Sequence, residues 1–121
     1  MVAVLCRFPL ATRLEPQLGG VDILAPELFD AEVVGALAGL ERRGEISTER
    51  ANEAVDDLGA SPVERFSHAP LLGVAWSLRH NLSTNDAFYV ALARELACPL
   101  LTTDGRLSRA PGLGITVTLV A

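Results

Sequence analysis

Apolar positions along the chain form two kinds of pattern, short continuous runs and longer stretches with helical spacing. Short apolar runs between turn residues are typical of buried strands, and apolar residues three and four positions apart are typical of amphipathic helices. The runs predict strands over residues 21–25, 62–66, 100–103 and 115–120. The helical spacing predicts helices over residues 27–43, 47–58, 69–80 and 83–97. Much of the spacing over residues 3–18 is also helical, with an interruption at Pro9. Pro26 is expected to open the helix of residues 27–43, and Gly44 to end it.

The order of these elements indicates the fold class. Strands that alternate with helices, and that are apolar throughout, are typical of a parallel sheet covered by helices. We therefore predict an α/β fold, a three-layer α/β/α domain with a central parallel sheet flanked by helices. The chain has 121 residues, of which 50% are hydrophobic, and this size fits a single domain over residues 1–121.

Composition narrows the functional classes. No apolar run approaches the roughly 18–20 residues of a membrane span, and the first residues lack the basic segment of a signal peptide. The sequence thus predicts a cytoplasmic protein without a membrane partner. Cys6 and Cys98 lack metal-type spacing, and we expect unpaired core thiols. The net charge of -5 opposes nucleic-acid binding through counterion release alone, although bound cations could still mediate cleavage of a nucleic acid.

Three acidic residues are expected along one edge of the sheet, because strand C-termini and helix N-termini share an edge in parallel α/β folds. Asp104 follows the strand of residues 100–103, and Asp86 lies in the first turn of the helix that Ser83 opens. Glu32 lies in the second turn of the helix after residues 21–25. Carboxylates gathered in this way repel one another unless a cation neutralises them, and oxygen ligands suit Mg²⁺ or Mn²⁺. Such a metal site can hydrolyse phosphate esters.

Each acid also has a purely structural explanation. Asp86 completes a capping-box-like pair with Ser83, and the helix dipole favours an acid at this position. Glu32 borders an apolar stripe, as a residue at the rim of a helix surface would. Asp104 precedes a glycine in a common turn pair. Asp86 nevertheless heads the helical row Val90, Ala93 and Ala97, so we expect it to face packed surface.

Three segments resemble the PIN-domain family, namely APELFDAEVVGAL, HAPLLGVAWSLRHNLSTNDAFYVALA and PLLTTDGRLSRAPGL. They are most similar to VapC-type toxins of bacterial type II toxin–antitoxin pairs, and the similarity covers nearly the whole chain from Val4 onward. The resemblance implies an endoribonuclease that depends on Mg²⁺ or Mn²⁺ and acts on RNA. It also implies a homodimer and a small VapB-type antitoxin that wraps the toxin and blocks its site.

Site residues follow from this resemblance by position. Glu32, Asp86 and Asp104 match the family's second, third and fourth acids, which act as catalytic and metal-binding residues. Thr102 or Thr103 matches the hydroxyl that often accompanies the last acid, and Asn85, next to Asp86, is a candidate for contact with substrate or water. Independently of the resemblance, Arg79 and Arg106 are expected near the same edge and are candidates for phosphate binding.

The family's first acid, which normally ends an N-terminal strand, has no counterpart, because MVAVLCRF resembles the helix that follows that acid. Asp22 is expected at the opposite edge of the sheet, and Glu15 has no matching motif around it. In one explanation the chain is a shortened form of a longer product, with Met1 an internal methionine. In the other the short form is genuine, and residues 1–5 take the central strand position.

Two alternative functions compete with the ribonuclease that the resemblance implies. The missing acid motivates a catalytically impaired PIN-domain protein that only binds antitoxin. A phosphatase of the haloacid dehalogenase type would also use Mg²⁺ on an α/β sheet. It requires an Asp-x-Asp pair after the first strand, and the sequence has no such pair.

Overall fold

The computed structural model describes residues 2–6 and 22–119. The five described strands form one sheet in the order β3-β2-β1-β4-β5, and all neighbouring pairs are parallel. Helices connect and flank the strands, which confirms the predicted α/β class. In chain order the elements are β1 Val2–Cys6, β2 Asp22–Pro26, α1 Leu28–Arg42, α2 Thr48–Ala60, β3 Glu64–Phe66, a 3₁₀ helix Ala69–Leu71, α3 Leu72–Ser77, α4 Thr84–Glu95, β4 Leu100–Thr102, α5 Gly105–Ser108 and β5 Val117–Leu119.

The first strand departs from the sequence-based expectation. β1 is the central strand, in register with β2 through Val4 and Leu24 and with β4 through Cys6 and Thr102. The expectation of helix from residue 3 is therefore wrong for residues 3–6, whereas the alternative that places the first residues in the central strand position agrees with β1. A short apolar run fits a buried strand as well as a helix, and pairing on both sides decides for the strand. The rest of the predicted helical stretch, including Glu15, lies outside the described residues.

Several element boundaries also differ from the predictions. Pro26 ends β2 instead of opening α1. The helix predicted over residues 69–80 begins as a 3₁₀ helix and ends at Ser77, because the chain must turn before Ser83 caps α4. α5 was not predicted at all. Its first turn depends on Asp104, whose side chain accepts a hydrogen bond from the backbone N–H of Arg106.

The end of α1 follows the prediction that a glycine terminates it. Gly44 has a φ of +73°, which a residue with a side chain rarely adopts. Its N–H donates to the carbonyl of Glu41 at 3.0 Å, and the N–H of Glu45 donates to the carbonyl of Leu40 at 2.9 Å. This pair of bonds is a Schellman motif, which satisfies two of the last carbonyls of the helix.

α4 is the most deeply buried helix among the described elements. It contacts β1, β2 and β4 as well as α3, so little of its surface reaches solvent. A helix that is apolar over most of its circumference is expected to be buried in this way. Its buried residues are Asp86, Ala87, Tyr89, Val90, Ala91, Leu92 and Ala93. The packing of this helix against the sheet and α3 therefore restricts where its polar side chains can lie.

Two expectations from composition can be compared with the structure. Cys98 is a half-buried free thiol, as expected, and burial raises the pKa of this thiol. The side chain of Cys6 lies outside the described part of the chain. No helix within residues 22–119 is long and apolar enough to cross a membrane.

Arg65 joins three elements through one guanidinium group. Its Nε and Nη2 atoms donate to the carboxylate of Asp30 on α1 at 3.0–3.2 Å. The same group donates to the backbone carbonyls of Leu58, Val63 and Ser61 at 2.8, 2.9 and 3.3 Å. The planar fork of an arginine can serve this many acceptors, whereas an ammonium group cannot.

We expect Arg65→Lys to lower the free energy of unfolding by about 1–3 kcal/mol, because carbonyls at the α2–β3 junction lose their donor. Urea unfolding measures this loss. Arg43→Lys is the matched control, since Arg43 pairs with Glu45 at 3.2 Å on exposed surface, and it should change stability by no more than about 0.5 kcal/mol. Equal losses in the two variants would contradict a special role for Arg65.

Candidate active site

The carboxyl ends of the strands lie side by side along one edge of the sheet. The pairings align Phe66 with Pro26, Cys6 with Thr102, and Thr102 with Leu119, and each of these residues is the last of its strand. α1 begins two residues after β2 ends, and α4 leads back from this edge toward the start of β4. The N-termini of both helices therefore lie at the same edge, as the topology predicted.

Glu32 lies in the second turn of α1 and is held from α4. The side-chain amide of Asn85 donates to its Oε2 at 3.1 Å, and the hydroxyl of Tyr89 donates to its Oε1. Glu32 itself is exposed, so water reaches a carboxylate whose orientation the two donors restrict. The interpretation of Glu32 as a rim residue is right about exposure but omits this contact between helices.

Tyr89 is a residue of the site that the sequence analysis missed. Its side chain is only 1% exposed, and its hydroxyl meets a carboxylate 57 residues away in the sequence. The available signal was its position three residues after Asp86, about one helical turn along α4. A buried tyrosine usually finds a partner for its hydroxyl, so a tyrosine in this position predicts an acceptor nearby.

Asp86 is 8% exposed and lies in the first turn of α4. Its backbone N–H donates to Oγ of Ser83 at 3.3 Å, which is one half of the predicted capping box. The prediction that Asp86 faces packed surface is confirmed. Burial of a carboxylate is costly unless hydrogen bonds or a cation compensate it, so an acid at this buried position needs such compensation.

Asp104 forms the turn between β4 and α5. Its Oδ1 accepts from the backbone N–H of Arg106 at 2.9 Å, and its own N–H donates to Oγ1 of Thr102 at 3.0 Å. Thr102 is fully buried and Thr103 is exposed, so Thr102 is the hydroxyl that orients the backbone of Asp104. The side chain of Asp104 is 18% exposed. The predicted turn role is confirmed, and this carboxylate still faces solvent in part.

The two candidate arginines differ in their surroundings. Arg106 has an 89% exposed side chain, and its Nε lies 3.9 Å from Oδ1 of Asp104, which makes a weak surface ion pair. Arg79 stacks on the indole of Trp76, with Cζ at 4.2 Å from the ring centroid, and donates to the carbonyl of Trp76 at 2.9 Å. Arg106 is therefore positioned next to one of the acids, whereas Arg79 is engaged with α3.

The donor set of this edge suits Mg²⁺ or Mn²⁺ in chemistry, since all three acids offer oxygen ligands. Within residues 2–6 and 22–119, no three His, Cys, Asp or Glu side chains are grouped closely enough to hold one metal ion together. Mg²⁺ usually keeps several waters and takes one or two carboxylates together with substrate phosphates. The acids fit that open kind of site, and binding of one ion by Glu32, Asp86 and Asp104 together stays a prediction.

A family model described as the PIN domain matches residues 1–113. The chain belongs to the PIN-domain family. Among similar proteins, Ribonuclease VapC1 of Mycobacterium tuberculosis is 48% identical over 97 residues, which are 79% of this chain and 73% of the relative. Ribonuclease VapC12 of the same species is 34% identical over 120 residues, which are 99% of this chain and 93% of the relative.

Solved structures support the fold of this PIN domain. VapBC2 from Rickettsia felis, bound to a DNA fragment from its promoter, matches with a TM-score of 0.67 at 15% identity and covers 98% of both chains. FitAB bound to an IR36 DNA fragment matches with a TM-score of 0.63 at 14% identity, over 98% of this chain and 94% of that chain. At these identities the likeness extends to the fold alone.

If Glu32 holds a metal ion for RNA cleavage, as the sequence predicts, Tyr89→Phe should lower the rate of cleavage by about 10–100-fold, the range typical of residues that orient a metal ligand. The change keeps the buried ring and removes only the hydroxyl that donates to Glu32. Single-turnover cleavage of a labelled RNA measures the effect. In a Glu32→Gln background the same change should have little further effect, and independent, multiplying losses would contradict the coupling.

Proposed function

We propose that this PIN domain is a VapC-type toxin, an endoribonuclease that hydrolyses RNA phosphodiesters with Mg²⁺ or Mn²⁺ at the carboxyl edge of its sheet. The observation that supports it is the placement of Glu32, Asp86 and Asp104. They lie on α1, on α4 and after β4, at one edge of a fold whose similar proteins are named ribonucleases. The proposed place of action is the cytoplasm, where RNA substrates are found.

Each side chain has a stated part in this proposal. Asp86 and Asp104 hold the metal ion directly or through water, and Glu32 completes the set from α1. A bound ion supplies a Lewis acid that stabilises charge on the phosphate and activates a water. Thr102 keeps the backbone of Asp104 in place. Tyr89 and Asn85 keep the carboxylate of Glu32 turned toward α4.

Cations also explain how an acidic chain could approach RNA. A net charge of -5 repels phosphates, so the proposed ion has to offset this repulsion at the site. Arg106, beside Asp104 and almost fully exposed, is the better of the two candidate arginines for a phosphate contact. Arg79 can contribute only if its guanidinium reaches a phosphate while it stacks on Trp76.

The proposed partners are a VapB-type antitoxin and a second copy of the chain. Two solved structures of similar fold, VapBC2 and FitAB, support the antitoxin as a partner. Large apolar side chains on α3 are exposed, with Leu72 at 56% and Trp76 at 67%. Exposed apolar side chains of this kind, when they form a patch, are typical of surfaces that bind another protein.

A second candidate function is a PIN-domain protein that binds antitoxin without cleaving RNA. Two observations favour it. β1 ends at Cys6, where the resemblance to the family leads one to expect an acid. The described acids also lack a group of three that could hold one ion. In that case the chain would sequester antitoxin from an active toxin.

RNA cleavage by the purified chain, with and without a VapB-type antitoxin, separates the two functions. The proposed toxin cleaves RNA, and one equivalent of antitoxin stops the reaction. A folded chain that binds antitoxin tightly but leaves RNA intact would support the binding-only function. Cleavage that persists in the presence of a bound antitoxin would contradict neutralisation through the site.

A further inference from the structure

His68 connects the start of one helix of the site with the middle of another. The backbone N–H of Leu28, the first residue of α1, donates to Nε2 of His68 at 3.0 Å. On its other side the imidazole packs on the ring of Phe88 in α4, with centroids 4.6 Å apart and planes inclined by 30°. His68 lies between β3 and the 3₁₀ helix, so it belongs to neither of the helices that it contacts.

The contact with Leu28 replaces a cap that α1 lacks. The first N–H groups of a helix have no acceptor within the helix and need one from elsewhere. Glu27, which precedes α1, has helical dihedral angles and makes no capping hydrogen bond through its side chain. The acceptor comes instead from a residue 40 positions away. This arrangement requires Nε2 to be unprotonated, with the ring proton on Nδ1.

The position of this cap relates it to the acids of the site. Glu32 follows Leu28 by four residues, so the two lie on one face of α1, one turn apart. On α4, Phe88 precedes Tyr89, which donates to Glu32, and follows Asn85, the other donor. The His68 contact and the Glu32 contact therefore join the same two helices, at successive turns of α1.

We propose that His68 is a positioning residue that sets where the carboxylate of Glu32 lies relative to α4. Loss of the Nε2 acceptor and of the ring would let the first turn of α1 move away from Phe88. Glu32 would then lose its alignment with the donors on α4. The consequence for RNA cleavage rests on the proposed function, whereas the consequence for geometry does not.

Two substitutions at this position separate hydrogen bonding from bulk. His68→Leu removes the acceptor and the ring but places an apolar side chain of similar length in the same space. His68→Gln places an amide oxygen near the position of Nε2 and should rescue the bond to Leu28. Ser47→Ala is the matched control, because Ser47 caps α2 by accepting from the N–H of Arg50 at 3.1 Å. No residue of the proposed site lies on α2.

The readouts are the side-chain amide resonances of Asn85, hydrogen exchange at the Leu28 amide, and steady-state cleavage kinetics. For His68→Leu we expect shifted Asn85 resonances and faster Leu28 exchange than the change in global stability explains. We also expect kcat to fall by about tenfold with KM nearly unchanged. His68→Gln should recover most of each effect. Ser47→Ala should lower stability by a comparable amount and alter none of the three.

The inference is overturned if His68→Leu lowers stability as Ser47→Ala does but leaves the Asn85 resonances and kcat as in the original chain. His68 would then stabilise α1 without positioning Glu32. If the original chain does not cleave RNA at all, the proposed function fails. The Asn85 resonances and Leu28 exchange still decide the inference in that case, because neither requires catalysis.

Discussion

RNA cleavage by the Asp104→Asn variant is expected to fall by about 10²–10⁴-fold, with the fold intact. The substitution removes the negative charge and keeps a side-chain oxygen that can accept from the N–H of Arg106. Asparagine is also among the best residues at a helix N-cap, so the turn into α5 should persist. A loss of activity in this variant therefore reports on the charge of the carboxylate.

Single-turnover cleavage of a labelled RNA, together with thermal unfolding, tests this expectation. Asp22→Asn is the matched control, since Asp22 is an exposed aspartate at the first residue of β2, at the other end of the sheet. It should keep full activity. An Asp104→Asn variant that cleaves at the original rate would remove Asp104 from the catalytic set. Equal losses in both variants would point to a general effect of charge on RNA binding.

Asp86→Asn extends the same test to a buried position. Its backbone N–H still donates to Ser83, because that bond does not involve the carboxylate. We expect a comparable fall in cleavage, on the order of 10²–10⁴-fold. The effect of Asp86→Asn on the free energy of unfolding should differ from that of Asp104→Asn. Asp86 is 8% exposed, and an uncharged amide is less costly to bury at such a position than a carboxylate is.

Much of the fold followed from local pattern. The alternation of apolar strands with helices was sufficient to predict a parallel sheet, and Gly44 marked the end of α1. β1 was left open between a helix and a central strand, because five apolar residues satisfy a helical and an extended pattern equally. Its identity as a strand depends on the backbone groups of β2 and β4, which a local pattern does not contain.

The candidate site also contains residues that the sequence predicts and residues that it does not. Topology was sufficient to place Glu32, Asp86 and Asp104 at one edge, since each follows a strand end or opens a helix. The hydrogen bonds from Tyr89 to Glu32 and from Leu28 to His68 join residues 57 and 40 positions apart. They depend on where α1 lies relative to α4 and to the segment after β3, and spacing along the chain does not determine that placement. Supporting residues are therefore harder to predict than the acids they support.

Removal of divalent cations is the second large effect we expect. EDTA should lower cleavage by at least about 10²-fold, and added Mg²⁺ or Mn²⁺ should restore it. The reason lies in the charges of the edge. Three carboxylates along this edge repel an RNA phosphate unless a cation offsets their charge, and Arg106 is too exposed to provide that neutralisation alone.

The acid variants turn metal dependence into a test of individual ligands. If Asp86 holds the ion, Asp86→Asn should raise the Mg²⁺ concentration for half-maximal cleavage by at least about tenfold, whereas Asp22→Asn should not change it. Excess Mg²⁺ should then recover part of the lost activity.

Cleavage that survives EDTA would contradict a metal-dependent reaction at this edge. A metal requirement that is the same in all variants would place the ion elsewhere, and the three acids would need another role. The described acids are not grouped tightly, so one or two carboxylates would hold the ion. The affinity for such an ion falls strongly when either carboxylate is lost, so the Mg²⁺ titration is more decisive than a simple loss of activity.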